Sequence, residues 1–304
     1  MPIDTAFASP GRFYKGNIHT HSTRSDGGRS PEEVCATYRD AGYDFLALTD
    51  HFMKVFDFPV VDTTPWRTES FTTLFGAEMH APEIGAGEIW HILAVGLPLD
   101  FAPLGEGETG AALAQRCLDA GAFVAFAHPA WYGLDMDDAA SIPGAHAAEI
   151  YNHTTMVRTS RGDSSLFVDQ LLNSGRRITI CATDDAHFAA PDWFGGYVMV
   201  KVESRDPDQL LESLKAGRYY ASQGPLIHDV TYGDAAVEVH CSPASAVMVL
   251  GRGSRSHMLV EPNITRVTLS LERILSGDYA RIVVVDAQGR KAWSNPVWFT
   301  DAPA

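Results

Sequence analysis

Phe45-Leu46-Ala47-Leu48-Thr49-Asp50-His51 decides the fold. Its first four residues are uniformly apolar, which marks a strand buried on both faces, and it ends on two groups that ionise or bind metals. Phe123-Val124-Ala125-Phe126, Ile178-Thr179-Ile180-Cys181 and Tyr197-Val198-Met199-Val200 have the same character. The stretches between them read as amphipathic helices with legible ends. Ser30 is placed to N-cap one, with Pro31 at the first helical position, Glu33 completing a capping box and Gly42 closing it. Asp206-Pro207 opens another, which Gly217 ends. Strands alternating with helices imply βαβ units and a parallel sheet. With about seven such strands, a closed or nearly closed barrel fits better than an open doubly wound sheet. No GxGxxG follows the first strand, so a dinucleotide-binding fold lacks its main support.

The texture changes at Gly224-Pro225. Beyond it, Val237-Glu238-Val239, Val247–Leu250, Val267–Leu271 and Ile282–Val285 are separated by turns such as Gly251-Arg252-Gly253 and Asp286–Gly289. This pattern predicts a small antiparallel β domain, sandwich-like, with Leu271–Leu275 as its one helical turn. The expected domains are therefore 1–224, an α/β barrel, and 225–304, a β accessory.

The chain has 304 residues, 45% of them apolar and 20% charged, with a net charge of −15. Residues 1–224 hold 16 basic and 30 acidic side chains, whereas 225–304 hold 7 and 8. An acidic body disfavours nucleic acid and anionic membranes, yet it can accept an anionic substrate where bound cations supply the attraction. No apolar run is long enough to span a bilayer. The opening MPIDTAFASPG lacks the basic and apolar segments of a secretory signal. Cys35, Cys117, Cys181 and Cys241 show no CxxC spacing and read as buried free thiols, which predicts a cytoplasmic protein.

The chemistry-bearing residues fall where predicted strands end. His19-Thr20-His21 closes the first strand, and the period of two points both imidazoles to one face. Asp185-Ala186-His187 repeats that spacing after Ile178–Cys181. Asp50-His51, Glu78 and His128-Pro129 each follow a strand, and His91 lies in the apolar run Trp90–Leu93. Taken singly, His91 reads equally well as a core histidine, His128 as a turn residue and Glu78 as a surface charge. Jointly they recur at the end of a parallel barrel where active sites form, and such a cluster needs cations to be tolerable.

Five ordered motifs carry a resemblance. They are Gly16-Asn17-Ile18-His19-Thr20-His21-Ser22 with Ser25-Asp26-Gly27, Leu48-Thr49-Asp50-His51, Gly76-Ala77-Glu78, Ala127-His128-Pro129 and Asp185-Ala186-His187. Over roughly residues 13–220 the chain resembles the polymerase and histidinol phosphatase (PHP) family of metal-dependent hydrolases. The resemblance implies a distorted (β/α)7 barrel holding two to three divalent metals. One metal would take His19, His21, Glu78 and Asp185; a second would share Glu78 and add His91 and His128. A third would take Asp26, His51 and His187. Some family members carry His where Asp26 stands. Asp184-Asp185-Ala186-His187-Phe188, the stretch Gly217–Pro225 and the ending Trp293–Phe299 are similar to a carbaryl hydrolase-like branch, whose substrates include carbamate esters.

Imidazole and carboxylate ligands suit Zn²⁺, Mn²⁺ or Fe²⁺. The expected activity is a phosphoesterase, with hydroxide bridging the metals held by Glu78 and acting on a small phosphorylated metabolite or nucleotide. A carbamate or carboxylic ester hydrolase on the same centre is the alternative, and a nuclease or proofreading module is a third reading that the charge argues against. Asp50 is expected to orient a liganding imidazole. Arg158, Arg161 and Lys54 are candidates for substrate binding and His153 for protonating a leaving group. His80 and His146 are read as spare histidines. Oligomeric state is left open.

Overall fold

A computed structural model describes residues 5–299. The first part of the chain gives β1 (Arg12–Asn17), α1 (Pro31–Asp40), β2 (Phe45–Leu48), β3 (His51–Phe52), β4 (Thr72–Met79) and β5 (Ile92–Val95). Next come α2 (Gly110–Asp119), β6 (Phe123–Phe126), α3 (Pro129–Tyr132), α4 (Met136–Ala140), β7 (Ala147–Asn152), α5 (His153–Thr159) and α6 (Ser165–Asn173). Then follow β8 (Thr179–Thr183), β9 (Tyr197–Val202), α7 (Pro207–Lys215) and β10 (Tyr219–Ser222). The remainder is strand: β11 (Ile227–Tyr232), β12 (Ala236–Gly251), β13 (Ser256–Ser270), β14 (Tyr279–Val285), β15 (Lys291–Ser294) and β16 (Val297–Trp298).

The helix ends follow the local chemistry. The Ser30 hydroxyl accepts from Glu33 N while the Glu33 carboxylate accepts from Ser30 N, so two donors of the first turn of α1 are satisfied reciprocally. The Asp206 carboxylate caps α7 by accepting from Asp208 N and Gln209 N, and Gly217 ends it at φ +72, a backbone region that favours glycine.

The sheet is mixed rather than parallel. It runs β11-β12-β14-β15-β10-β9-β1-β2-β4-β5-β6-β7-β8, with β13 on β12, β16 on β14 and β3 on β4. β1–β2, β2–β4, β6–β7 and β7–β8 are parallel, whereas β5 runs antiparallel between β4 and β6. The expected barrel does not close along its strands. Antiparallel β9 occupies the free edge of β1 from Arg12 to Gly16, which denies that edge to β8. Only past the strand ends do the two meet, in a single parallel bridge between Thr20 and Ala186.

Alternation explains how the strands aim their side chains. Phe45 and Ala47 of β2 pack inward with Leu74, Leu93, Ala125, Ala147 and Cys181, and Leu210 and Leu214 of α7 join that core. Leu46 and Leu48 face outward onto Val34, Cys35 and Tyr38 of α1. Two residues beyond an inward position the side chain points inward again. Leu74 thus leads through Gly76 to Glu78, Ala147 leads to Glu149, and Cys181 leads through Thr183 to Asp185.

After residue 224 the strands are antiparallel, as expected, but they continue the same sheet through the pairing of β15 with β10. Their interior is Val237, Val239, Val247, Val249, Ile282 and Val284. Leu271–Leu275 forms turns rather than a helical segment.

Candidate metal centre

Seven of the nine expected ligands sit just beyond a strand end or at the end of one, on one rim. His91 reaches that rim because β5 runs the opposite way, so the residue before its start stands beside the end of β4. Asp26 arrives on the loop after His21, which Gly27 N and Ser25 N close by donating to the Ser22 carbonyl. Two positions use strained backbone: His128 has φ 28 and Asp185 has φ 56. Non-glycine residues there cost about 1–3 kcal/mol each. The strain is held by His128 N donating to Glu149 Oε2 at 2.7 Å and Asp185 N donating to the His19 carbonyl at 2.9 Å.

Glu78 is the hub. Fully buried, it has His91 Nδ1 at 2.8 Å and His128 Nε2 at 3.0 Å from Oε1. Around Oε2 lie His51 Nδ1 at 2.7 Å, His21 Nε2 and His80 Nε2 at 3.6 Å, and His19 Nε2 at 3.7 Å. Asp185 Oδ1 stands 2.9 Å from His21 Nε2 and 3.2 Å from His19 Nε2. Asp26 Oδ1 lies 3.4 Å from His51 Nε2 and 3.3 Å from His187 Nε2. The described residues therefore form four overlapping groups able to grip a cation: His21-Asp26-His51-His187, His19-His21-Asp185, His19-Glu78-His128 and His51-Glu78-His80.

The charges follow from burial set against neighbours. Burial alone would raise the Glu78 carboxyl, but His51, His91 and His80 hold it well below the usual carboxylate range. Burial likewise opposes ionisation of Asp185, and the His19 and His21 imidazoles overcome it. Burial pulls the His51 imidazole down, yet Glu78 and Asp26 lift it to about 10. For His91 burial wins, and the ring falls to about 4.

The donor set fits divalent cations. His19 Nε2, Glu78 Oε2 and His128 Nδ1 are buried without a hydrogen-bond partner. An orphaned buried polar atom is costly, and two of these three converge within 3.7 Å of each other. His51 Nδ1 lies 2.7 Å from Glu78 Oε2, which places a further ligand-type atom at the same point.

A cavity of about 300 Å³ opens over the cluster, lined by Asp26, His51, Glu78, His91, His128, Asp185 and His187 together with Trp131, Thr154, Thr155, Arg158 and Thr159. Of the expected substrate-binding cations, Arg158 lines it. Arg161 instead donates to the Trp131 carbonyl at 3.4 Å. Lys54 lines a separate apolar groove with Phe52, Phe58 and His80, because the short turn after His51 carries it outward. His153 stands outside the cavity lining; its Nδ1 meets the Tyr151 hydroxyl at 2.8 Å and its ring packs under Gly195, where a Cβ would collide with it. Asp50 accepts from Ser22 N, Ser22 Oγ and Ser25 Oγ at 2.7–2.8 Å, so it braces the loop bearing Asp26 rather than an imidazole.

The orienting role expected of Asp50 falls to Glu149. Its Oε1 sits 2.7 Å from His19 Nδ1, leaving His19 Nε2 for the cluster. Asn152 Nδ2 then ties Glu149 Oε2 to Asp185 Oδ2. A carboxylate inside the apolar strand Ala147-Ala148-Glu149-Ile150 was a legible signal, since such residues are almost never buried unless paired. Asp184 is structural: it accepts from Tyr38 Oη and from the amides of Phe194, Gly195 and Gly196, and burial lifts its carboxyl to about 6.

No protein-family model matches the chain, and no curated protein matches its sequence. Among solved structures it is similar to a two-domain protein from Bacteroides vulgatus described as containing a predicted PHP-like metal-dependent phosphoesterase. The two share 15% identity at a TM-score of 0.55, with 98% of each chain covered. Looser likenesses, both at 15% identity over 58% of this chain and 89% of the other, are to a protein assigned as a metal-dependent phosphoesterase from Bifidobacterium adolescentis (TM-score 0.46) and an amidohydrolase from Chromobacterium violaceum (0.41). Only the first bears weight, and what it establishes is the fold: over 98% of its length this chain is folded like that PHP-like neighbour. The motif resemblance and the tertiary structure thus point to one architecture.

Proposed function

We propose that the chain is a divalent-metal-dependent hydrolase, and that its substrate is a small phosphate ester. The observation that carries this is the pair of orphaned atoms, His19 Nε2 and Glu78 Oε2, buried beneath an open cavity whose wall includes Arg158. His19, His21, Asp185 and Glu78 would hold one cation, Glu78, His91 and His128 a second, and Asp26, His51 and His187 a third. Divalent cations bound there would lower the pKa of water and offset charge developing on a substrate oxygen. The mixed imidazole and carboxylate donors suit zinc, manganese or iron, and elemental analysis of protein purified without chelators identifies the ion.

The chain's own groups do the rest. Glu149 holds the His19 ring so that Nε2 faces the cluster. The exposed Arg158 side chain stands at the cavity edge, suited to grip a phosphate with two parallel N–H donors. Trp131, whose ring lies 5.3 Å from His91 and 5.0 Å from His128, gives the cavity an apolar wall. That wall would also suit an aryl carbamate, the competing substrate. Among the described residues, 225–299 contribute no ligand-type side chain to the cavity, and we assign the segment an accessory, structural role. Among the described residues no helix is long and apolar enough to cross a membrane, and the four cysteines are free and buried, which suits a reducing compartment.

The test is a panel of phosphate mono- and diesters beside aryl carbamates, run on metal-reconstituted protein with inorganic phosphate and phenol release both measured. Phosphate release, inhibited competitively by vanadate, is the expected outcome. Carbamate turnover with no phosphate released from any ester would overturn the substrate class.

A further inference from the structure

The nine ligand positions proposed above leave out His80, yet His80 is 5% exposed and both of its ring nitrogens are engaged. Nδ1 lies 3.0 Å from the Trp90 carbonyl oxygen. A carbonyl only accepts, so Nδ1 carries the hydrogen, and in that tautomer the lone pair lies on Nε2. That lone pair faces His51 Nδ1 at 2.8 Å. His51 must therefore donate from Nδ1, and its Nε2 is the nitrogen turned to Asp26 Oδ1. His187 reaches the same arrangement by another route: its Nδ1 donates to the Asp185 carbonyl at 2.7 Å, and its Nε2 faces the same Asp26 oxygen.

The relay has a stiff base. Met79 pairs with Ile92 at the end of the β4–β5 ladder, and Trp90 N donates to the Ala81 carbonyl at 2.9 Å, so His80 and Trp90 are held opposite each other just beyond the paired strand ends. The residue after Trp90 is His91, a ligand of the second cation in the scheme above. His80 thus links the strand that presents His91 to the imidazole that serves the Asp26 group.

We propose that His80 is a positioning residue, relaying a hydrogen bond from the Trp90 carbonyl to His51 and so fixing which nitrogen His51 offers to the Asp26-His51-His187 group. The inference rests on the metal-binding reading for its purpose but not for its geometry. An imidazole whose other nitrogen donates to a fixed acceptor is better aimed and more basic, and loss of such a partner costs about 10–100-fold in metal affinity.

The full chain labelled with ¹⁵N-histidine and freed of metal should show a scalar coupling across the hydrogen bond between His51 Nδ1 and His80 Nε2, with His80 protonated at Nδ1. A His80 ring protonated only at Nε2 would overturn the relay. Calorimetric titration with Zn²⁺ adds the functional arm. His80→Ala should weaken one class of site by about 10–100-fold and leave the others unchanged. His80→Gln, whose amide can donate to Trp90 and accept from His51, should recover most of that loss. Unchanged affinities in His80→Ala would refute the positioning role. So would disappearance of a whole equivalent that His80→Gln does not restore, which would make His80 a ligand. If wild-type protein binds no Zn²⁺, the proposed function fails, while the coupling still decides the relay.

Discussion

At the rim formed by the strand ends, Glu78 and Asp185 are buried among imidazoles, whereas from Ile227 onward the interior is a ladder of valine and isoleucine. Both regions contain buried polar atoms without partners, but of different kinds. At the rim they are His19 Nε2, Glu78 Oε2 and His128 Nδ1, and the first two converge beside further ligand-type atoms under one cavity. In the C-terminal region they are Tyr232 Oη and two nitrogens of Arg281, which lie on separate strands. The Arg281 guanidinium still keeps one ion pair, with Asp169 at 2.7 Å. Convergence separates a site from an imperfection: lone pairs gathered on one point await a cation, while scattered donors merely lower stability.

The sharpest way to break this contrast is Glu78→Gln. It removes the charge around which six imidazoles gather, and turnover should fall by about 10³-fold or more, with at least one bound metal equivalent lost by elemental analysis. Near wild-type turnover would show that the hub is misassigned. Ile282→Ala opens a cavity in the C-terminal core and should cost about 2–5 kcal/mol in denaturant unfolding. Metal content and KM should stay unchanged; a shift in either would mean that the two regions are coupled.

Asp26→Asn comes next. Its carboxylate is half-exposed and held below the ordinary range by His187 and His51 against the effect of burial. Metal titration should show a single site weakened by about tenfold or more, with residual activity. The smallest effect is expected from Arg158→Ala. Loss of one charge-assisted contact is worth about 1.5–3 kcal/mol, or roughly tenfold or more in KM for a phosphate ester. Melting temperature and metal content should not move. An unchanged KM would remove Arg158 from the substrate site.

Local chemistry fixed much of this protein. The four apolar residues Phe45–Leu48 form a buried strand because nothing else satisfies so short a two-faced run between turn signals, and Ser30, Glu33 and Asp206 set helix starts within one turn of chain. The spacing of His19 and His21, and of Asp185 and His187, placed those pairs by the period of the strand alone. What the sequence could not decide was which strand neighbours which. β9 and β5 run against their neighbours, so the sheet is mixed, the edge of β1 is taken and the barrel stays open along its strands. The same long-range pairing chose Glu149 over Asp50 to hold His19, put Arg158 on the cavity and left Lys54 and His153 off it. It also set the His80 ring against His51. Periodicity assigns a face to each side chain, but only the packing of distant strands selects the partner across it, because that contact is made between residues whose separation in sequence carries no signal.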